Sequence, residues 1–136
     1  MYEERLGPFG GIEVIELQEG HGGTSKPDEA KTRKIEAESL LKSVGEDVFI
    51  VALDETGKSF SSLKFAEKLQ DWMEDGRRPV VFLIGGSWGL DSTILKRANA
   101  VLSLGPMTLP HGIARVVLME QVYRAKMIST GKTYHK

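Results

Sequence analysis

Three short, largely apolar runs constrain this chain more than any other feature: Val48 to Leu53 (VFIVAL), Val80 to Ile84 (VVFLI) and Ala100 to Leu104 (AVLSL). A strand with one solvated face alternates polar and apolar residues. Continuous apolar runs bounded by polar turns instead fit strands covered on both faces, as in a parallel sheet. Ile12 to Leu17 (IEVIEL) reads as a further short strand. Between these runs lie segments of helical period. Asp28 can cap a helix to about Ser43, with Ala37, Leu40, Leu41 and Val44 on one face and Gly45 as its stop. A second helix, about Ser62 to Asp75, places Phe65, Ala66, Leu69, Trp72 and Met73 on one side, and Gly76 follows it. Asp91 or Ser92 caps a short helix to about Ala98, and a final helix spans about Gly112 to Ile128. This alternation predicts an α/β fold, a three-layer sandwich around a mostly parallel sheet.

With 136 residues, of which 40% are apolar and 27% charged, the chain suits one folded domain, residues 1–136, rather than a disordered segment. No apolar run approaches the roughly 18 residues of a membrane span, and the start, MYEERLGPFGG, has no apolar signal-peptide core. The absence of cysteine excludes disulfides, a thiolate nucleophile and a cysteine zinc site. The expected compartment is the cytoplasm. A net charge of −1 speaks against coating nucleic acid by bulk charge. The charge is uneven, however: Arg115 to Lys136 holds Arg115, Arg124, Lys126, Lys132 and Lys136 against Glu120 alone.

The final helix is apolar on most sides, through Ile113, Val116, Val117, Leu118, Met119, Val122, Ala125, Met127 and Ile128. In a chain this small such a helix suggests a subunit interface, hence a homodimer. Asp54-Glu55-Thr56-Gly57-Lys58-Ser59 contains a GKS triplet, but a phosphate loop also needs a glycine where Ala52 stands. The segment is therefore read as a charged turn. Gly85-Gly86-Ser87-Trp88-Gly89 ends a parallel strand, where open α/β sheets bind ligands; a tight turn with Trp88 over the core is the competing reading. Leu104 to His111 forms a second loop at a strand end, and two such loops together favour a shared pocket. His21 reads as solvated surface, and His111 as a helix cap or a site residue. Tyr134-His135-Lys136 on its own reads as a frayed terminus. No spacing suggests a metal site.

Taken in order, Phe82 to Leu90 (FLIGGSWGL), Thr108 to His111 (TLPH), Arg115 to Ala125 (RVVLMEQVYRA) and Tyr134-His135-Lys136 closely resemble the RlmH family. These are ribosomal RNA large subunit methyltransferases of the SPOUT superfamily, and the resemblance runs from about Gly11 to the end. It implies an S-adenosylmethionine-dependent enzyme that methylates N3 of a pseudouridine in helix 69 of 23S rRNA, within the assembled ribosome. It also implies a C-terminal α/β knot and a homodimer. By position, the cofactor residues would be Leu53, Gly85, Leu104, Gly105, Pro106, Met107, Thr108 and Leu109. None of them is Lys or Arg, as suits a cationic sulfonium. His111, Arg124, Tyr134, His135 and Lys136 would face the RNA. Among these, His135, Arg124 and Tyr134 are the catalytic candidates. N3 of a uracil-type ring is a poor nucleophile until its proton leaves. His135 would accept that proton, Arg124 or Lys136 would stabilise the developing negative charge, and Tyr134 would stack on the base.

The family normally has a strand and part of a helix before the position of Met1, so Tyr2 to Leu6 is expected to be the end of that helix and the strand to be missing. The tail after 129 is expected to order over the pocket only when RNA and cofactor are present. Two competing functions remain: an inactive ribosome-associated RNA-binding protein of the same fold, and a nucleotide-binding regulatory module that uses the GKS turn.

Overall fold

The computed structural model describes residues 2–5, 11–17, 29–85 and 90–129. Its elements run β1 (Tyr2–Arg5), β2 (Ile12–Glu16), α1 (Glu29–Val44), β3 (Phe49–Lys58), α2 (Ser62–Glu74), β4 (Val80–Ile84), α3 (Ser92–Arg97), β5 (Ala100–Leu102) and α4 (His111–Ser129). The strands form one sheet of order β1-β2-β4-β3-β5. β2, β4, β3 and β5 are mutually parallel, and β1 is antiparallel to β2.

The apolar runs are buried on both faces because helices cover both. Along β4, Val80, Phe82 and Ile84 join a core with Phe65, Leu69 and Trp72 of α2 and Leu118 and Val122 of α4. Val81 and Leu83, pointing the other way, join Ala37 and Leu40 of α1 and Ile94 of α3. The expected three-layer sandwich is thus observed. Trp72 anchors its first layer. It stacks on Phe49 at 5.9 Å between ring centroids and meets Phe65 and Phe82 edge-on at 6.1 and 6.3 Å. Asn99 fixes β5 beside β3 by bonding both backbone groups of Ile50. Its Oδ1 accepts from Ile50 N, and its own N donates to Ile50 O, both at 2.8 Å.

Three sequence expectations need correction. Tyr2–Arg5 is a strand, not a helix end, with Tyr2 opposite Glu16 and Arg5 opposite Glu13. Pairing with β2 satisfies the backbone groups that β2 would otherwise expose at the sheet edge. Residues 54–58 are not a simple turn either. β3 continues to Lys58, and Leu53 and Lys58 both register with Leu102, so the chain between them bulges out and returns. Gly57 and Lys58 therefore lie beside β5, and α2 starts only at Ser62, which is not the geometry of a phosphate loop. Finally, β5 ends at Leu102 rather than Leu104. The Ser103 hydroxyl turns the chain there, accepting from Gly105 N at 3.1 Å and donating to Gly105 O at 3.0 Å.

α3 begins where the sequence suggests, with Asp91 as its cap, its carboxylate accepting from Thr93 N at 2.8 Å. That bond holds the Asp91 carboxyl below its ordinary range, against a smaller opposing effect of burial. A carboxyl lowered in the folded state stabilises at neutral pH and loses its effect as pH falls through the folded value. Asp91→Ala is expected to cost about 1 kcal/mol in urea unfolding at pH 7. The gap between variant and wild type should close in strong acid; an equal gap at both pH values would mean that the carboxylate is not the cap.

Candidate functional site

The first half of β3, up to Leu53, finishes level with the ends of β4 and β5, since Leu53 registers with Ile84 on one side and Leu102 on the other. Gly85 follows Ile84 directly, and residues 104–109 leave the end of β5. The eight positions expected to hold the cofactor therefore share one edge of the sheet. Leu53, Leu104 and Leu109 turn inward and pack against the core beneath α2 and α4. Pro106, Met107 and Thr108 face outward, Met107 with 79% of its surface exposed. Gly105 has φ +129°, a conformation that L side chains rarely adopt, and the space beside its Cα is open. Apolar inner side chains, an open glycine backbone and the lack of cations at these positions fit an adenosine-bearing cation. Beside them, Asp54 accepts from the backbone and hydroxyl of Thr56, which closes the bulge of β3.

Arg124 lies on α4, one face of which carries Ala114, Leu118, Val122 and Ala125 into the core. Its guanidinium forks onto Glu120, Nε to Oε1 at 3.1 Å and Nη2 to Oε2 at 3.2 Å. Arg115 comes within 3.8 Å of Glu16, tying the start of α4 to the end of β2. Lys126 sets its ammonium 3.2 Å from the Met73 sulfur of α2, and burial lowers its pKa. His111 is the first residue of α4; its side chain lies outside the described part. The expected site residues Tyr134, His135 and Lys136, the surface residue His21, the expected cap Asp28 and the loop Gly86 to Gly89 also lie outside the described residues.

A cleft of about 180 Å³ opens next to the cofactor positions, between the ends of β3 and β5 and the helices α2 and α4. Phe60, Phe65, Leu104 and Val117 contribute to its apolar walls, and Ser59, Ser62, Ser103 and Gln121 bring the polar groups. Ser62 donates to Gln121 Oε1 at 2.6 Å, and Gln121 Nε2 reaches Glu120 Oε1 at 3.4 Å. Sequence reasoning did not single out Ser62, Gln121 or Glu120. The available signal was a Glu-Gln pair inside the apolar run Val116 to Val122 of the last helix, which marks a place where polar groups must find partners.

Residues 1–135 match the family model described as "Predicted SPOUT methyltransferase". The chain belongs to the SPOUT methyltransferase family. It is 42% identical over 137 residues to a Streptococcus suis protein named "Ribosomal RNA large subunit methyltransferase H", covering 99% of this chain and 86% of that one. A Gluconacetobacter diazotrophicus protein of the same name is 46% identical over 135 residues, covering 99% and 84%. Among solved structures, the SpoU methyltransferase AviRb from Streptomyces viridochromogenes aligns with a TM-score of 0.45 and 14% identity, over 89% of this chain and 50% of that one. Within this SPOUT chain, no group of three or more His, Asp or Glu that could hold a metal occurs among the described residues. None of its described helices is long and apolar enough to cross a membrane. On α4, Ile113, Val116 and Tyr123 stay 52%, 59% and 43% exposed, an apolar stripe opposite the buried face.

Proposed function

We propose that this SPOUT chain is an S-adenosylmethionine-dependent methyltransferase of large-subunit ribosomal RNA, acting in the cytoplasm on N3 of a pseudouridine in helix 69 of 23S rRNA within the ribosome. The observation that carries most weight is the gathering of Leu53, Gly85 and residues 104–109 at one sheet edge. The names of the relatives add the substrate class. S-adenosylmethionine would supply the methyl group and leave as S-adenosylhomocysteine. Leu53, Gly85 and Leu104, Gly105, Pro106, Met107, Thr108 and Leu109 would hold it through backbone groups and apolar side chains.

The chain's own residues then carry the acid–base work. His135 accepts the N3 proton, which leaves the nitrogen lone pair free to form the new C–N bond. Arg124 and Lys136 balance the negative charge that spreads to the flanking carbonyl oxygens, and Tyr134 holds the ring by stacking. Glu120 occupies the Arg124 guanidinium in the free chain, so a base that engages Arg124 must share it with this carboxylate. His111, at the start of α4, is assigned to RNA contact.

Mass analysis of ribosomal nucleosides after incubation with unmethylated ribosomes tests the reading, with a new N3-methylpseudouridine as the expected product. Binding without product would identify an inactive RNA-binding protein instead. Calorimetry with S-adenosylmethionine and with ATP separates the remaining alternative, because heat from ATP alone would point to a nucleotide-binding module.

The exposed stripe of α4 supports a homodimer, and the knotted C-terminal path belongs to the same proposal. Light scattering at micromolar concentration should give twice the chain mass, and Val116→Asp should shift it toward the monomer. A monomeric wild type would remove α4 as an interface.

A further inference from the structure

The cleft beside the cofactor positions has a size and lining that select a particular occupant. Its volume of about 180 Å³ lies below the roughly 300–1,000 Å³ of pockets that enclose whole ligands, so it suits one ring rather than a complete cofactor. Of its lining residues only Leu104 is also an assigned cofactor position; Leu53, Gly85 and residues 105–109 lie outside it. Among the described residues no charged side chain lines it. The occupant is therefore neutral, flat enough to lie along Phe60, and equipped with both hydrogen-bond donors and acceptors for the hydroxyls and the amide.

The polar groups are also connected to the expected chemistry. Gln121 bonds to Ser62 inside the cleft and to Glu120 outside it, and Glu120 grips Arg124. A ring seated here would thus touch one end of a chain of hydrogen bonds whose other end is the guanidinium assigned to charge stabilisation.

We propose that this cleft seats the uracil-type base of the substrate, with Gln121 and Ser62 reading the N1–C2 edge of the ring, next to the N3 that is methylated. The inference rests on the methyltransferase reading above and names its recognition element. In a pseudouridine the sugar is attached through carbon, so N1 keeps a hydrogen next to the O2 carbonyl. A side-chain amide matches that edge with one acceptor and one donor. In uridine N1 carries the sugar and offers no hydrogen, so the pair cannot form. Gln121 bound at N1–H and O2 would leave N3 free to lose its proton, and would disfavour uridine at the same position.

The test uses the full chain and two probes. Backbone amide shifts are followed by NMR during titration with free pseudouridine, uridine and adenosine at millimolar concentration. Pseudouridine should move the amides of Ser62, Leu102, Ser103 and Gln121 more than uridine does, and Gln121→Met should remove the difference. Methylation is then compared on ribosomes that carry pseudouridine or uridine at the target site. Gln121→Met should lower kcat/KM on pseudouridine-bearing ribosomes about tenfold and narrow the preference over uridine, with S-adenosylmethionine affinity unchanged. Val117→Phe, which fills the cleft from another wall, should give the same loss in a chain with a normal unfolding midpoint.

Adenosine moving these amides instead would make the cleft part of the cofactor pocket and overturn the proposal. So would a Gln121→Met enzyme with wild-type rate and preference, a result that leaves the methyltransferase reading intact. Shifts specific to pseudouridine in a chain that methylates no ribosome would support the cleft while defeating that reading.

Discussion

Removal of Tyr134–Lys136 is expected to abolish methylation while leaving S-adenosylmethionine affinity and dimer mass unchanged. The deletion takes away the assigned proton acceptor, the stacking ring and one cation at once. The cofactor positions all precede residue 110, and the exposed stripe of α4 ends at Tyr123, so neither depends on the tail. General acid–base catalysis and charge stabilisation each contribute about a hundredfold or more, so their joint loss should leave no product above background. Nucleoside mass analysis reads the activity; calorimetry and light scattering read the two controls. A truncated chain that methylated ribosomes at the normal rate would make the tail a bystander, and His111 would become the first alternative base.

The second large effect is expected at Gly57, and it concerns the fold rather than the chemistry. A Cβ at this position would stand 2.4 Å from the Val101 carbonyl oxygen and 2.8 Å from Leu102 N. Both are backbone atoms of the neighbouring strand and cannot swing aside as a side chain would. Gly57→Ala should therefore push β3 and β5 apart where the bulge of β3 returns, at a cost of about 3 kcal/mol. Urea unfolding followed by tryptophan fluorescence reports it through Trp72. Coincident unfolding curves for variant and wild type would show that the two strands approach less closely than described.

The sheet was legible because its strands are apolar on both faces and its helices are periodic. VVFLI and the Phe65–Leu69–Trp72 spacing leave few alternatives, and the observed β4 and α2 match them. The level strand ends were also accessible, since a parallel sheet must place its C-terminal loops together. What could not be read was tertiary in origin. Residues 54–58 look like a polar turn by composition, yet Lys58 returns to register with Leu102 because Gly57 allows backbone to lie against backbone. Tyr2–Arg5 has no strong propensity of its own, and β2 supplies its reason to be a strand. The bond from Ser62 to Gln121 joins residues of two helices distant in sequence, so no local pattern announces it. The cofactor positions came from family likeness. Composition alone would have offered two loops at strand ends and nothing about their ligand.

The strand order has a consequence for how the molecule comes into being. Ile12 lies opposite Val80, so a strand near the start waits for one made in the second half of the chain. Closing so long a loop costs entropy before the pairing returns it, and topologies dominated by distant contacts fold slowly. α4 is made later still, yet it roofs the layer that holds Phe65, Trp72 and Phe82. During synthesis that aromatic surface is therefore the last to be covered, and nascent chains halted before α4 would carry a sticky, uncapped sheet. Chaperone demand for this protein should thus be highest while α2 and β4 are out of the exit tunnel and α4 is still inside it.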